Sequence, residues 1–316
     1  MAPQPRSMMD IPTDIILHMV EHMNTDTRER FVSTNEGIFN LVKTYERAIS
    51  KSRAATFMLA PQGNILSSSS YVRSVLQKNT FAMVSELELR DHRMDRLIKE
   101  CPKIFCVASP PWLPCLTPRQ QYRLVPILKR ALYQCDRIAD IAANMMPQQF
   151  TAREYRAILD GVYESPSALT QGTFNPLTRP GARYRQIMYI KSLSLEDVAG
   201  IFILTHMLGY GLTCLCSDTS YERKTVVEEC VLRHGTWFVW SRLLGDPGMQ
   251  ELAGYIISAG RAELRLWETG ALQDGPPGLK MTLMRRFNSL VGGGDPDQVA
   301  TKMERTLKKL VIDDGE

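Results

Sequence analysis

Residues 117–142, TPRQQYRLVPILKRALYQCDRIADIA, decide how the fold is read. The first four are helix punctuation. Thr117 offers a capping oxygen, Pro118 suits a first helical position that needs no amide bond, and the Gln120 side chain reaches back to the cap's own N–H. Leu124, Leu128, Ala131, Leu132, Cys135, Ile138, Ala139 and Ala142 then recur at intervals of three and four. That is the apolar stripe of an amphipathic helix, which other elements must cover. Pro126 has no amide proton, so a kink or a restart is expected there.

The same punctuation recurs outward from this stretch. Thr151-Ala152-Arg153-Glu154 and Ser194-Leu195-Glu196-Asp197 repeat the capping pattern, and Asp295-Pro296 opens a last helix toward Val311. Breaks are expected at Ala60 to Asn64, Ser109 to Pro114, Ser165 to Gly181, Gly275 to Gly278 and Gly292 to Gly294. No run of alternating β-branched residues and no long internal period stands out, so the predicted fold is all-α. Val198 to Ser217 carries no acidic or basic side chain and has about the length of a membrane-spanning helix. Thr205, His206, Gly200, Gly209, Gly211 and Thr213 weaken that reading, so a buried core helix over Leu195 to Leu208, ending at Gly209-Tyr210-Gly211, is predicted instead.

The chain has 316 residues, 44% hydrophobic and 23% charged, which excludes disorder and small disulfide scaffolds. Its net charge of +4, from 38 basic and 34 acidic residues, does not argue for a nucleic-acid partner. Seven cysteines and no apolar run after Arg6 point to a reducing compartment, cytoplasmic or nuclear. Split after residue 50, the first part holds 5 basic and 7 acidic residues, or −2, and the remainder 33 and 27, or +6.

Patterns that carry chemistry are sparse. His18-Met19-Val20-Glu21-His22 fits the H-x-x-E-H spacing in which two histidines one turn apart bind zinc. No third ligand accompanies it, and two solvated histidines are the simpler reading. The cysteines lack paired zinc spacing, and Cys135 falls on the apolar stripe. Asp136 and Asp140, one turn apart, have no second acidic cluster to share a cation, and Arg137 offers a nearer charge. Gly292-Gly293-Gly294 lacks the P-loop lysine, and no G-x-S-x-G elbow occurs. Lys302, Arg305 and Lys309 read as a solvated helix face, and Trp237 and Trp240 as core anchors. No catalytic residue and no cofactor are expected, so the chain reads as a binding protein and not an enzyme.

The N-terminus is more informative. At 100° per residue, Ile15, Ile16, Leu17, Met19, Val20 and Met23 span roughly 200° of a helix starting near Pro12. Asp14, His18, Glu21 and His22 hold the polar side. So wide an arc exceeds what an ordinary surface helix buries, which implies two apolar clients, one of them a partner protein. After a polar link, Asn24 to Arg30, Ser33-Thr34-Asn35-Glu36 reads as a capping box. Ile38, Leu41, Val42, Tyr45 and Ile49 then read as one amphipathic stripe.

Ile11-Pro12-Thr13-Asp14-Ile15-Ile16-Leu17-His18-Met19-Val20-Glu21-His22-Met23, followed by Phe31-Val32-Ser33-Thr34-Asn35 and Ile38-Phe39-Asn40-Leu41-Val42, resembles an F-box. Ile11, Asp14, Met19 and Met23 are conservative departures from that pattern, and the link Asn24 to Arg30 lacks its usual leucines. The resemblance implies a three-helix unit over residues 9–50 that binds the Skp-type adaptor of a cullin ubiquitin ligase. Its contact positions match Ile11, Pro12, Ile15, Ile16, Met19, Val20, Phe31 and Val32. Residues 51–316 would then be a multi-helix body recruiting an unknown protein target, similar in character to the tails that follow F-boxes in filamentous-fungal proteins. The alternatives are a small all-α enzyme or a metal protein using His18, Glu21 and His22, or a scaffold outside ubiquitination.

Overall fold

The capping box at Thr117 forms in full. Thr117 Oγ1 accepts from the Gln120 amide at 3.4 Å, and Gln120 Oε1 accepts from the Thr117 amide at 2.9 Å. From it a helix runs over Pro118–Asp140 and tightens into a 3-10 turn at Ile141–Asn144. Pro126 neither stops nor restarts this helix. It lies on the solvent side with Val125 and the 81% exposed Tyr122, where water can serve the Tyr122 carbonyl that loses its amide donor.

The computed structural model describes residues 11–68, 73–101, 117–144, 180–214, 221–268, 278–292, 299–307 and 309–310. Its helices are α1 (Thr13–His22), α2 (Thr25–Ser33), α3 (Glu36–Thr44), α4 (Glu46–Ala55), α5 (Phe81–Glu100), α6 (Pro118–Asp140), α7 (Pro180–Ser192), α8 (Leu195–Cys214), α9 (Tyr221–His234), α10 (Thr236–Leu243), α11 (Pro247–Glu268), α12 (Leu279–Leu290) and α13 (Val299–Leu307). The fold is all-α apart from a two-residue antiparallel pair. In it β1 (Ile65–Leu66) faces β2 (Val75–Leu76), with Ile65 opposite Leu76. Strands this short leave no alternation to read in the sequence. The expected capping box at Thr151, the break from Ser109 to Pro114, the Asp295-Pro296 signal and the Cys214-Leu215-Cys216 side chains lie outside the described residues.

The main core is built around α8, apolar on every side: Val198, Ala199, Ile201, Ile203, Leu204, Met207 and Leu208 are all fully buried. It packs against α6, α9, α12 and α13. No helix among the described residues is long and apolar enough to cross a membrane. The helix also outlasts its predicted end, continuing through Gly209 and Gly211 to Cys214. At Gly209 the missing side chain serves close approach: a Cβ there would sit 2.9 Å from Cγ of Glu228 on α9. Trp237 anchors the core as expected, and Cys135 is a buried free thiol whose pKa burial pushes up.

Asp136 and Asp140 are not paired with Arg137, which instead donates to the Ala60 carbonyl and to the Tyr189 hydroxyl. Their partner is Arg90 of α5, 3% exposed and forked onto Asp140 at 2.8 and 3.0 Å, with Asp136 at 3.9 Å. Arg90 also donates to Glu86 at 2.9 Å and to the Leu66 carbonyl, while the Leu66 amide donates to Asp140 at 2.8 Å. Ser68 ties the other end: its amide donates to Glu86 at 2.9 Å, and its carbonyl accepts from Arg93 at 2.6 Å. Arg73, half-buried, donates to the Ser67 and His234 carbonyls at 3.0 and 3.1 Å. One network of buried charge thus pins the short hairpin to α5, to α6 and to the turn that opens α10.

That turn is Gly235, at φ 64° and ψ −150°, a region open essentially to glycine alone. A Cβ there would also come within 2.1 Å of Asp136 Oδ1, the atom that accepts from the Thr236 amide at 2.7 Å.

Removing Arg90 leaves three buried carboxylates without their shared cation, so Arg90→Met should cost about 3–5 kcal/mol, read as a lower urea midpoint. Burial, only partly offset by Arg90, raises the pKa of Asp136 from 3.8 to about 6. The folded chain therefore holds this proton more tightly than the unfolded chain, and the group's contribution to stability grows as pH falls from 7 toward 4. His234 runs the other way: burial and Arg73 hold it well below 6.5, so its contribution is present above that pH and lost on acidification. The difference in unfolding free energy between wild type and Asp136→Asn isolates the aspartate. It should move toward the wild type by roughly 2–3 kcal/mol between pH 7 and pH 4.

Candidate functional site

The N-terminal helices hold a core of their own. Ile16 and Val20 of α1, Ile38 and Val42 of α3, and Ile49 of α4 form a buried cluster distinct from the one around α8. Ile11, Leu17, Met23, Phe31, Val32, Leu41 and Phe81 pack against its edge. Residues 11–50 hold three complete helices, α1, α2 and α3, as expected, and the first turn of α4, whose Ile49 completes the cluster. The segment Asn24 to Arg30, expected as a link, is mostly α2, because Asn24 Oδ1 accepts from the Thr27 amide at 2.8 Å and caps it. The predicted cap at Ser33 moves to Asn35, whose side chain accepts from the Gly37 and Ile38 amides at 2.7 and 3.2 Å, while Ser33 and Thr34 bond back to α2 carbonyls. The single helix expected from Ile38 to Ile49 breaks at Tyr45, which is exposed.

Residue 50 falls inside α4: Ile49 belongs to the N-terminal cluster, and Ala54 to the one that includes Ile65, Met83 and Leu87. The unit is fastened to the body through α5. Glu88 accepts from the Thr25 amide at 2.9 Å and pairs with Arg53 at 3.2 Å. Glu46 accepts from the Phe81 amide at 2.8 Å, and the buried Arg28 guanidinium lies 4.0 Å above the Phe81 ring.

The wide apolar arc of α1 divides in two. Ile16 and Val20, 4% and 1% exposed, are consumed by the unit's own core and cannot also meet a partner in this packing. Ile15 and Met19 are 47% and 38% exposed, and Pro12 is exposed beside them. These three fall within roughly 60° of helix surface. Ile11, Phe31 and Val32 are half-buried at the margin. On α3, Phe39 is 44% exposed, and Tyr45 just beyond its end 45%; both belong to the apolar surface of the unit, although the helical spacing of Tyr45 reads as core.

His18 and His22 border the Ile15–Met19 strip, their rings edge to face at 4.7 Å, with Glu21 3.8 Å from His18. Among the described residues no three His, Cys, Asp or Glu side chains converge as metal ligands. Elsewhere a concavity of about 650 Å³ lies along α11, lined by Arg242, Gln250, Glu251, Tyr255 and Arg261, with charge of both signs and no converging set of donors.

No protein-family model, curated protein or solved structure matches this chain. The site therefore stands on its own geometry.

The division of α1 has a direct measure. Ile16→Ala should cost about 2–5 kcal/mol, as a cavity in a small core does, while Ile15→Ala and Met19→Ala should stay within about 0.5 kcal/mol. Equilibrium urea denaturation of the variants makes the comparison. Equal losses at all three positions would mean that no part of this arc is spare.

Proposed function

We propose that the N-terminal helices dock a Skp-type adaptor and so connect the helical body, with a protein target bound to it, to a cullin ubiquitin ligase. The observation that carries this reading is the exposure of Ile15 and Met19 on a helix whose other apolar residues already complete a separate core. These two side chains lie outside that core, side by side with Pro12 at the start of the stretch that resembles an F-box.

The contact surface on this reading is Pro12, Ile15 and Met19, flanked by the half-buried Ile11, Phe31 and Val32. Ile16 and Val20 support it from below. Burying an isoleucine or methionine at a partner interface is worth about 1.5–3 kcal/mol. Two such residues account for a large share of a micromolar affinity. The body supplies recruitment of the target, and no chemistry is assigned to it in this role.

The test is co-purification of the full-length protein with a recombinant Skp-type adaptor and cullin. Wild type should retain both. Ile15→Asp combined with Met19→Asp should weaken adaptor binding by at least ~100-fold, the equivalent of about 3 kcal/mol, with the fold intact by circular dichroism. Failure of the wild type to bind the adaptor, or undiminished binding by the variant, would overturn the reading. Adaptor retained without cullin would assign a scaffold role outside ubiquitination.

A further inference from the structure

A second cluster, on the opposite end of the sequence, lies at the seam of α8, α9 and α12. His206 of α8 places Nδ1 3.0 Å from Glu228 Oε1 and Nε2 3.0 Å from Lys224 Nζ. Lys224 and Glu228 are one turn apart on α9, their oxygen–nitrogen distance 3.7 Å, and Lys280 at the start of α12 pairs with the second carboxylate oxygen. The histidine ring is stacked on Phe202 at 5.0 Å, and Tyr210 lies under the Lys224 ammonium at 4.0 Å. Gly209 lets the stems of Lys224 and Glu228 pass, since a Cβ there would meet both at about 3 Å.

Glu228 has no exposed side-chain surface, while Lys224, His206 and Lys280 retain 10%, 15% and 13%. The carboxylate is sealed and the three nitrogen groups keep a small share of solvent contact. An amine, an imidazole within hydrogen-bond reach of it, and a carboxylate that fixes the imidazole make the arrangement of an activated nucleophile.

We propose that Lys224 is a reactive amine that captures a small aldehyde as an imine, with His206 as its proton acceptor. The free amine adds to the aldehyde carbon, the carbonyl electron pair moves to oxygen, and one N–H proton passes by way of His206 Nε2 to that oxygen. The nitrogen lone pair of the resulting carbinolamine then expels the hydroxyl, which leaves as water with the second N–H proton. Amine and aldehyde give imine and water, and no oxidant or reductant is needed. Lys224 is 8% exposed, which limits the partner to a small carbonyl compound.

The groups facing Lys224 also bear on its charge. Burial lowers its pKa, Glu228 opposes that shift, and Lys280 adds to it; the net direction is downward, toward free amine at neutral pH. His206 is likewise lowered, by burial and by the charges of Lys224 and Lys280, which together outweigh the opposing effect of Glu228 and favour the neutral ring that can accept a proton.

The experiment treats the full-length protein with glycolaldehyde and cyanoborohydride at pH 7 and measures the modification rate of each lysine by peptide mass mapping. The exposed Lys43 and Lys51 serve as references within the same molecule. Lys224 should react faster than either, because its lowered pKa leaves more of it as free amine. His206→Gln should bring Lys224 down to the reference rate and leave Lys43 and Lys51 unchanged. Lys224→Arg should remove the fast adduct altogether. A Lys224 rate at or below the references in the wild type overturns the proposal, whether or not the variants fold, and so does a fast adduct that persists in Lys224→Arg.

Discussion

The guanidinium of Arg90 is the constraint on which the middle of this protein depends. It is fully enclosed, yet it meets Asp140 with two nitrogens, Glu86 with a third position and the Leu66 carbonyl as well. Burial alone would push the proton off; Asp140 and Asp136 outweigh that and hold the pKa above its ordinary value. A charge in such a place is weak evidence of net stability, because an apolar replacement of the whole set can serve equally well. What it imposes is geometry. A planar fork accepts few arrangements, so the short hairpin and α6 can meet α5 only in one register. The hairpin, two residues per strand, is too small to hold itself together and takes its position from this network.

Helix α5 distributes this constraint in three directions. Glu86, Arg90 and Arg93 face the hairpin and α6, with Arg93 also lying 5.1 Å over the Trp240 ring of α10. Asp91 and Asp95 hold Lys129 on the outer side of α6 at 2.9 and 2.7 Å. Phe81 and Glu88 take the N-terminal unit, through Arg28, Thr25 and Arg53. The helix is thus the spine between two hydrophobic clusters that do not merge. Contacts of charge and backbone join the N-terminal unit to it, beside the apolar contacts of Phe81 and of Ala54 with Met83 and Leu87. A unit joined in this manner keeps its own core and can present an outer face without loosening the body behind it.

Fold class was legible because capping and periodicity act locally. Thr117, Pro118 and Gln120 specify their helix whatever packs against it, and the Leu124 to Ala142 stripe is buried as the spacing requires. Several of the failures share one cause, which is that the deciding contact comes from far along the chain. Gly209 reads as a helix end because glycine usually is one, but here it makes room for Glu228. Asp136 and Asp140 read as a local pair with Arg137 because no sequence rule points 46 residues or more back to Arg90. In the N-terminal unit, the width of the α1 arc was readable, but which half of it is spent on the unit's own core was not. That depended on where α3 and α4 lie, and so on the break at Tyr45, where exposure of an aromatic overrides its helical spacing.

The two faces treated above invert the usual placement of chemistry. Apolar side chains that lie outside the unit's own core stand on the surface of α1, whereas the titratable groups are drawn into helix seams. Both seams rest on a glycine: Gly235 at the Asp136 network and Gly209 at the Glu228 cluster. The absent side chain lets two helices approach until a carboxylate from one is shielded by the other, and shielding is what separates its protonation from that of a surface acid. The networks differ in the balance of charge that results. Around Arg90 the guanidinium is enclosed together with Glu86 and Asp136. Around Glu228 the carboxylate alone is sealed, and its three cationic or imidazole partners keep a margin of solvent.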